Sequence, residues 1–214
     1  MHAYQHDFLE LAHASGVLRF GHFTLKSGRE SPYFFNLGAI ASGVALERLG
    51  RAYAACIEAS GLAFYMLFGP AYKGIPLAAA AAIALAQRHG RDVPLAYNRK
   101  EAKEHGEGGV LIGAPLRGRV LVVDDVLTAG TAVRQSLALI RSAGAGPAGV
   151  VIALDRQECG QGTHSAAQEL AQEEGVPVHA IVGLAEIMAF VHAQPQLADA
   201  GAALAAYRAR YGVA

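Results

Sequence analysis

The chain has 214 residues, which is enough for one domain with a substantial hydrophobic core. Its composition, 53% hydrophobic and 17% charged, is typical of a globular protein and excludes an intrinsically disordered one. The formal net charge of zero argues against a general electrostatic grip on nucleic acid, so no nucleic-acid partner is expected.

No targeting or membrane segment is evident in the sequence. The N-terminus, MHAYQHDFLE, lacks the basic-then-apolar layout of a signal peptide. The longest apolar run, residues 75–86, is shorter than the roughly 18 residues that span a bilayer. Cys56 and Cys159 are far apart and form no CxxC pair, so we expect both to be reduced, buried thiols. The sequence therefore predicts a cytoplasmic protein without a membrane partner.

The N-terminal quarter predicts a helix, a strand-rich segment and a second helix. Residues 4–14 form a short amphipathic pattern. The stretch GVLRFGHFTLKSGRESPYFFNLG then alternates like strands joined by glycine-containing turns. A helical face follows, formed by Leu46, Leu49, Tyr53, Cys56 and Ile57.

The middle of the chain predicts two buried strands and a helix. Residues 63–68, AFYMLF, are continuously apolar and precede the loop GPAYKG and an alanine-rich helix over 75–87. Residues 93–97, VPLAY, predict another strand. The charged stretch NRKEAKEHGEGG follows, and because its charges nearly cancel, a solvated loop is its default interpretation.

The second half continues the alternation of strands and helices. A strand over 120–123 leads into a helix from about 131 to 143, which Gly144 ends. The strand GVVIALDR, a helix over 165–174, the strand VPVHAIV and a helical C-terminus complete the chain. This rhythm predicts an α/β fold with a central parallel sheet flanked by helices, in a single domain over residues 1–214.

Three of the predicted strands end in unusual residues: GPAYKG, DDVLTAGT and DRQE. Ligands of open parallel sheets bind beyond the carboxyl ends of the strands, so these three segments are the candidate site. The stretch TAGT, residues 128–131, offers backbone N–H groups at a helix start and two hydroxyls, which suit an anion. A plain helix N-cap is the alternative. No Lys completes the signature of a nucleoside-triphosphate loop.

Asp124 and Asp125 stand side by side in front of this segment. Two carboxylates at a strand end can hold Mg²⁺ or accept hydrogen bonds from neighbouring hydroxyls of a sugar. A solvated turn with one acid capping the helix is the alternative. An anion cradle beside an acceptor for a vicinal diol describes a site for ribose 5-phosphate.

The stretch VLVVDDVLTAGTA resembles the phosphoribosyl pyrophosphate (PRPP) signature of the type I phosphoribosyltransferases. Four further stretches resemble the orotate branch of that family, namely FTLKSGRESPYFFNLG, GPAYKGIPLA, YNRKEAKEHGEGG and ALDRQE. Together they cover about residues 23–158 in the order that the family has. The resemblance implies the type I phosphoribosyltransferase fold, with residues about 1–40 as a small strand-rich hood over the base site.

The resemblance also implies a set of site residues. Asp124 and Asp125 would engage the ribose hydroxyls, residues 128–131 the 5-phosphate, and Tyr72 and Lys73 the pyrophosphate. A lid, NRKEAKEHGEGG, would close over the pyrophosphate. The implied PRPP-binding residues are Lys26, Tyr72, Lys73, Arg99, Lys100, Lys103, His105, Asp124, Asp125, Val126, Leu127, Thr128, Ala129, Gly130, Thr131 and Ala132. The implied catalytic residues are Lys103, His105, Asp124 and Asp125.

Orotate carries a carboxylate that uracil lacks, so its site needs cationic or hydrogen-bonding groups. The implied orotate-binding residues are Lys26, Phe34, Phe35, Thr128 and Arg156. Core packing for the two phenylalanines and an ion pair for Arg156 are the alternatives. Mg²⁺ is the expected cofactor, held mainly by the substrate; no direct protein ligand is assigned, and Asp124 and Asp125 are the candidates. The family is dimeric, with active sites shared across the homodimer.

The leading hypothesis is an enzyme that transfers phosphoribosyl from PRPP to orotate in pyrimidine (UMP) biosynthesis. A phosphoribosyltransferase for uracil or a purine would keep residues 124–131 but lack the pair Lys26 and Arg156. A non-catalytic regulator that senses PRPP is a third possibility, although it usually needs a basic surface for nucleic acid. A response-regulator type of Mg²⁺ site would leave the TAGT segment and the lid unexplained.

Overall fold

The computed structural model describes residues 1–25, 27–103, 109–127, 130–160 and 162–213, with residues 100–103 and 109 described by their backbone only. The α-helices of this part of the chain are α1 (Ala3–Ala14), α2 (Gly43–Ser60), α3 (Gly74–His89), α4 (Thr131–Ser142), α5 (Ala166–Glu174), α6 (Leu184–His192) and α7 (Ala198–Tyr211). The strands are β1 (Leu18–Thr24), β2 (Glu30–Phe35), β3 (Met66–Gly69), β4 (Leu95–Lys103), β5 (Gly109–Gly113), β6 (Arg119–Val126), β7 (Gly146–Asp155) and β8 (Val178–Gly183).

Six strands form the central sheet in the order β5-β4-β3-β6-β7-β8. Five of them are parallel, as predicted, but β5 pairs antiparallel with β4 at the edge, so the sheet is mixed. The sequence did not predict β5 and ended β4 too early, because the charged residues after Tyr97 were interpreted as a loop. Charged side chains are compatible with an edge hairpin, since its outer face meets water.

The inner strands are apolar because helices cover both faces of the sheet. Met66, Leu67 and Phe68 of β3 are fully buried, and so are residues 120–123 of β6. Alternate residues of these strands contribute to two separate cores. One core contains Leu67, Leu121 and Val123 with α1, α2, α3 and α6, and the other packs the remaining strand residues against α4 and α5.

The helices begin and end where the sequence indicates. The side chain of Ser42 caps the start of α2, and that of Ser165 caps α5. Gly61 follows α2 with φ of 65°, a left-handed conformation that favours glycine. The predicted helical C-terminus divides into α6 and α7, and among the described residues no helix is both long and apolar enough to cross a membrane.

The N-terminal segment forms a separate two-stranded antiparallel sheet, β1 with β2, as predicted. Its Tyr33 is fully buried and meets Tyr207 of α7 edge-on, with 6.1 Å between the ring centroids. The hood is therefore held by the C-terminal helix. Cys56 is buried and free as expected, whereas Cys159 is free but only half-buried, so the prediction of two buried thiols was wrong for Cys159.

Candidate active site

The candidate site lies where the strand order changes direction. From β3 the chain adds β4 on one side and then returns to place β6 on the other, so the carboxyl ends of β3 and β6 are neighbours. Ligands of open α/β sheets bind at such a switch point. The loop 70–73 follows β3, and residues 124–126 end β6. Two of the three segments that the sequence predicted to form the site are thus adjacent in space.

Asp124 and Asp125 belong to β6 itself, since the strand runs to Val126 rather than ending at Val123. Successive side chains of a strand alternate between its faces, so the two carboxylates leave the backbone on opposite sides. Asp125 meets Lys73, whose Nζ lies 2.5 Å from Oδ2. The backbone carbonyl of Asp124 accepts a hydrogen bond of 2.8 Å from the hydroxyl of Tyr53. Both acids are therefore fixed at the end of the strand, and Lys73 offsets part of their repulsion.

The environments of the two acids differ. Asp124 is only 9% exposed. Burial raises the pKa of its carboxyl to about 6, and the negative charge of Asp125 adds to the increase, while the backbone N–H of Asp125 and the charge of Lys73 oppose it. Asp124 is thus a buried acid with no cation in hydrogen-bond contact among the described residues. It can gain stability from hydroxyl donors or from a cation brought by a ligand.

The loop GPAYKG is shaped by close packing. A Cβ on Gly74 would lie 2.9 Å from the carbonyl oxygen of Val123, so only glycine lets the start of α3 approach β6 this closely. Close packing is therefore a sufficient reason for glycine at position 74. The backbone N–H of Ala71 donates to Oδ1 of Asn98 at 2.9 Å. Asn98, on β4, is a site residue that sequence reasoning missed.

Lys73 and Tyr72 stand at the open side of this loop. Their side chains are 59% and 66% exposed, respectively. The Ala71–Tyr72 peptide bond is cis. An exposed ammonium beside Asp125 is positioned to contact an anionic group of a ligand without losing its carboxylate partner.

The segment predicted to bind the 5-phosphate precedes α4. Thr128 and Ala129 lie outside the described residues. Gly130 takes a left-handed φ of 67° at the N-cap, and Thr131 and Ala132 are exposed in the first turn of the helix. Val126 is half-buried, whereas Leu127 is buried in the core and can offer a ligand only its backbone. The geometry places an exposed helix N-terminus next to the two acids, which suits an anion.

The predicted lid falls on the β4–β5 hairpin. Arg99 is a half-buried residue of β4, and Lys100 and Lys103 continue that strand, with Lys103 opposite Gly109 of β5. His105 lies outside the described residues, as does Lys26 of the hood. The strand assignment corrects the expectation of a loop from Asn98 to Lys103. Strand β4 of the hairpin pairs with β3, so the hairpin lies beside the strand that leads into the GPAYKG loop.

On the hood side, the structure brings β2 to the end of β7. The guanidinium of Arg156 lies over the ring of Tyr33, with Cζ 4.2 Å from its centroid, and Nη2 donates to Oγ of Ser31 at 3.1 Å. It also forms an ion pair with Glu158, 2.7 Å from Nη2 to Oε1. Arg156 is thus an ion-paired residue, as its alternative interpretation stated. Glu158, Ser31 and Tyr33 were not predicted to contact it.

The two phenylalanines of β2 have different surroundings. Phe35 packs against the core beside Phe8, with ring centroids 6.3 Å apart. Phe34 is half-buried, 5.5 Å from the ring of Phe23, with the guanidinium of Arg19 over its face at 5.1 Å. Core packing therefore describes Phe35, and Phe34 belongs to an aromatic cluster on the hood.

The acid pair also fits a divalent cation. Carboxylate oxygens are ligands that Mg²⁺ prefers, and the ion usually keeps waters and substrate phosphates as its remaining ligands. Asp124, buried and without a cationic contact among the described residues, has the charge to receive such an ion beside Asp125.

Comparison with known proteins agrees with this geometry. The family described as "Phosphoribosyl transferase domain" matches residues 37–165. Orotate phosphoribosyltransferase of Thioalkalivibrio sulfidiphilus is 62% identical over 213 residues, and that of Pseudomonas aeruginosa PAO1 is 57% identical, with 100% of both chains covered in each case.

Solved structures show the same relationship. Orotate phosphoribosyltransferase of Francisella tularensis superposes with a TM-score of 0.84 at 41% identity, covering 96% of this chain and 95% of that one. The Mycobacterium tuberculosis enzyme in complex with PRPP superposes with a TM-score of 0.62 at 25% identity, covering 85% of this chain and 98% of that one. The resemblance seen in the sequence is confirmed. The chain belongs to the phosphoribosyl transferase domain family and, within it, to the orotate phosphoribosyltransferases.

Proposed function

We propose that the protein transfers the phosphoribosyl group of PRPP to a ring nitrogen of orotate, giving orotidine 5-phosphate and pyrophosphate in pyrimidine biosynthesis. The bond from ribose C1 to pyrophosphate breaks, and pyrophosphate leaves with the electron pair. A new bond joins C1 to the ring nitrogen, which gives up its proton. The observation that carries the proposal is the acid pair beside Lys73 at the switch point, in a chain whose full-length relatives are orotate phosphoribosyltransferases.

Asp124 and Asp125 are the proposed acceptors for the ribose hydroxyls. Since their side chains leave β6 on opposite faces, a ribose that contacts both has to lie across the end of the strand. Their charges would also stabilise the positive charge that builds on the ribose as pyrophosphate departs. The 5-phosphate would bind at residues 128–132, where α4 begins.

The pyrophosphate is the proposed ligand of Tyr72, Lys73 and the hairpin residues Arg99, Lys100, Lys103 and His105. Lys73 is held by Asp125 in advance, so its charge does not have to be ordered when PRPP arrives. Closure of the hairpin over the site would exclude water from the reacting carbon. Mg²⁺, carried in by PRPP and held beside Asp124 and Asp125, would polarise the leaving group.

The base is the proposed ligand of Lys26, Phe34, Phe35, Thr128 and Arg156. Of these, Arg156 has the clearest support, because its guanidinium sits between the end of β7 and the hood. We propose that residues 1–214 act as one domain and that residues 1–40 cover the base.

The protein is proposed to act as a homodimer in the cytoplasm. Helices α2 and α3 border an open apolar groove of about 380 Å³, lined by Leu46, Pro76, Ala79, Ala80 and Ile83 among others. Ile83 is 57% exposed, which is unusual for a large apolar side chain. Pro76 belongs to the first turn of α3, directly after the GPAYKG loop, so a second copy seated on this groove would lie close to the candidate site.

The test is a base-selection assay. Orotate, uracil, hypoxanthine and adenine are each mixed with PRPP, Mg²⁺ and protein, and consumption of each base is followed by its ultraviolet absorbance. Orotate alone should be depleted, and pyrophosphate should appear in equal amount. Depletion of uracil or a purine instead would establish the alternative phosphoribosyltransferase, and no depletion with tight PRPP binding would favour a sensing role.

A further inference from the structure

Glu158 and Ser31 hold one edge of the Arg156 guanidinium by hydrogen bonds. Its Nε donates to Oε1 of Glu158 at 2.8 Å, and Nη2 donates to Ser31 while contacting the same carboxylate oxygen. An arginine has five N–H donors in a planar fork. The hydrogen bonds to Glu158 and Ser31 use neither of the two N–H groups on Nη1, and the hydroxyl of Tyr207 also interacts with the guanidinium. The Nη1 edge is left for a ligand, in an orientation that the other three N–H groups determine.

Glu158 joins three groups with one carboxylate. Besides Arg156, its Oε2 accepts from Nη1 of Arg29 at 3.3 Å, and its Oε1 accepts from the hydroxyl of Tyr33 at 3.3 Å. The side chain is only 10% exposed. Loss of one partner from a buried ion pair leaves the other charge uncompensated. The position of the Arg156 guanidinium therefore depends on Glu158.

The C-terminal residues fix the segment that carries this pair. The N–H of Cys159 donates to the carbonyl of Tyr211 at 2.8 Å, and the N–H of Val213 donates to the carbonyl of Gln157 at 2.9 Å. Glu158 forms a β-bridge with Gly212 between these two bonds. Residues 211–213 thus run alongside residues 157–159 as a short second strand.

Arg29 and Gln157 make three further contacts that hold this segment. The guanidinium of Arg29 lies over the ring of Tyr211, 4.6 Å from its centroid, and Nη2 of Arg29 donates to the carbonyl of Cys159 at 3.2 Å. Gln157 has a left-handed φ of 52°, and its Oε1 accepts from the N–H of Ala185 at 3.0 Å. A non-glycine residue keeps such a conformation only where its surroundings determine it.

We propose that Glu158, itself fixed by the C-terminal residues 211–213, is a positioning residue that aims Arg156 at the carboxylate-bearing base. The inference rests on the proposed function, since it assigns Arg156 to the base. Glu158 does not touch the substrate. It keeps the Nη1 edge of the Arg156 guanidinium in one orientation, so that binding the base does not require ordering that side chain.

The first experiment compares Glu158→Gln with the wild-type protein. The variant keeps the shape of the side chain but removes the charge that holds Arg156, so KM for orotate should rise by about tenfold or more, with KM for PRPP nearly unchanged. Glu158→Asp should restore part of the orotate affinity, because it returns the charge. Glu58→Gln is the matched control, since Glu58 also pairs with an arginine, Arg91, at the opposite end of the sheet.

A double-mutant cycle tests whether Glu158 acts through Arg156. In an Arg156→Ala background, Glu158→Gln should produce no further increase in KM for orotate. Independent losses from the two substitutions, an equal rise in KM for both substrates, or an unchanged KM for orotate would overturn the inference. Absence of orotate turnover by the wild-type protein would refute the proposed function itself.

A truncation that ends the chain at Tyr211 tests the C-terminal contribution. It removes the Val213 hydrogen bond and the Gly212 bridge, and it should raise KM for orotate selectively, as Glu158→Gln does. A thermal melt checks that the truncated protein folds. A folded truncation with unchanged kinetics would show that residues 212 and 213 have no part in positioning Arg156.

Discussion

Asp124 shows why adjacent acids are tolerable in this position. Sugar hydroxyls and Mg²⁺ would offset the repulsion between Asp124 and Asp125, and Lys73 already pairs with Asp125 before any ligand binds. The negative charge of Asp124 remains unfavourable, because burial raises the pKa of its carboxyl to about 6 from an ordinary value of 3.8. The buried charge lowers the stability of the free protein, and hydrogen-bond donors from a ligand would offset this loss.

Stability should therefore depend on pH through Asp124. Between pH 3.8 and 6 the folded protein binds a proton that the unfolded chain has lost. The stabilisation from that proton is complete below the unfolded pKa and disappears as the pH rises through about 6. Asp124→Asn should therefore be more stable than the wild type at pH 8, by about 3 kcal/mol, and the difference should shrink as the pH falls below 6.

Thermal or urea unfolding at pH 5 and pH 8 measures this difference. Asp92→Asn is the control, since Asp92 is exposed and its substitution should leave stability nearly unchanged at both pH values. A constant difference between Asp124→Asn and the wild type across this range would contradict the assignment of the buried charge.

At the scale of secondary structure, the β4–β5 hairpin departs most from expectation. Its apolar start was predicted as a strand, but Arg99 and the following charged residues continue that strand to Lys103. Hydrophobic periodicity cannot reveal the second half of this strand, because most of its residues are charged or polar. Strand β4 of the hairpin pairs with β3, which leads into the GPAYKG loop. Backbone hydrogen bonds between these two strands therefore connect the hairpin to the candidate site.

Lys103→Ala tests the catalytic role proposed for this hairpin. Loss of a cation that is proposed to contact the departing pyrophosphate should lower kcat by about 100-fold, while the fold remains intact because Lys103 is the last residue of β4. Steady-state kinetics and circular dichroism measure the two effects. Arg88→Ala is the control, as it removes an exposed cation from α3. Near-normal turnover of Lys103→Ala would show that the hairpin is only a surface feature.

For the whole molecule, the sequence predicted the alternation of elements, the hood and the strand ends that carry the site. It could do so because apolar strands and amphipathic helices have distinct periods. It gave no individual site role to Glu158, Asn98 or Tyr53, although it named the segments that contain them. Their roles depend on contacts between distant segments, such as Tyr53 of α2 with the backbone of Asp124, and no local pattern encodes those contacts.

The proposed dimer is also a property of the whole molecule. Ile83→Glu places a charge in the apolar groove between α2 and α3 and should shift the protein from dimer to monomer. Light scattering coupled to size-exclusion chromatography measures the mass. Ala138→Glu introduces the same charge at an exposed position of α4 and should leave the dimer intact. An Ile83→Glu variant that remains dimeric would place the interface elsewhere.

The family model matches the central residues 37–165, and the N-terminal and C-terminal ends lie outside the matched region. The groups proposed for ribose and phosphates lie in the centre, whereas Lys26, Phe34 and Phe35 precede it and α7 follows it. The two ends meet where Tyr33 packs on Tyr207. A chimaera designed to accept a different base should therefore exchange both ends together. If only the hood were exchanged, its residues would no longer pack against the original C-terminal helix.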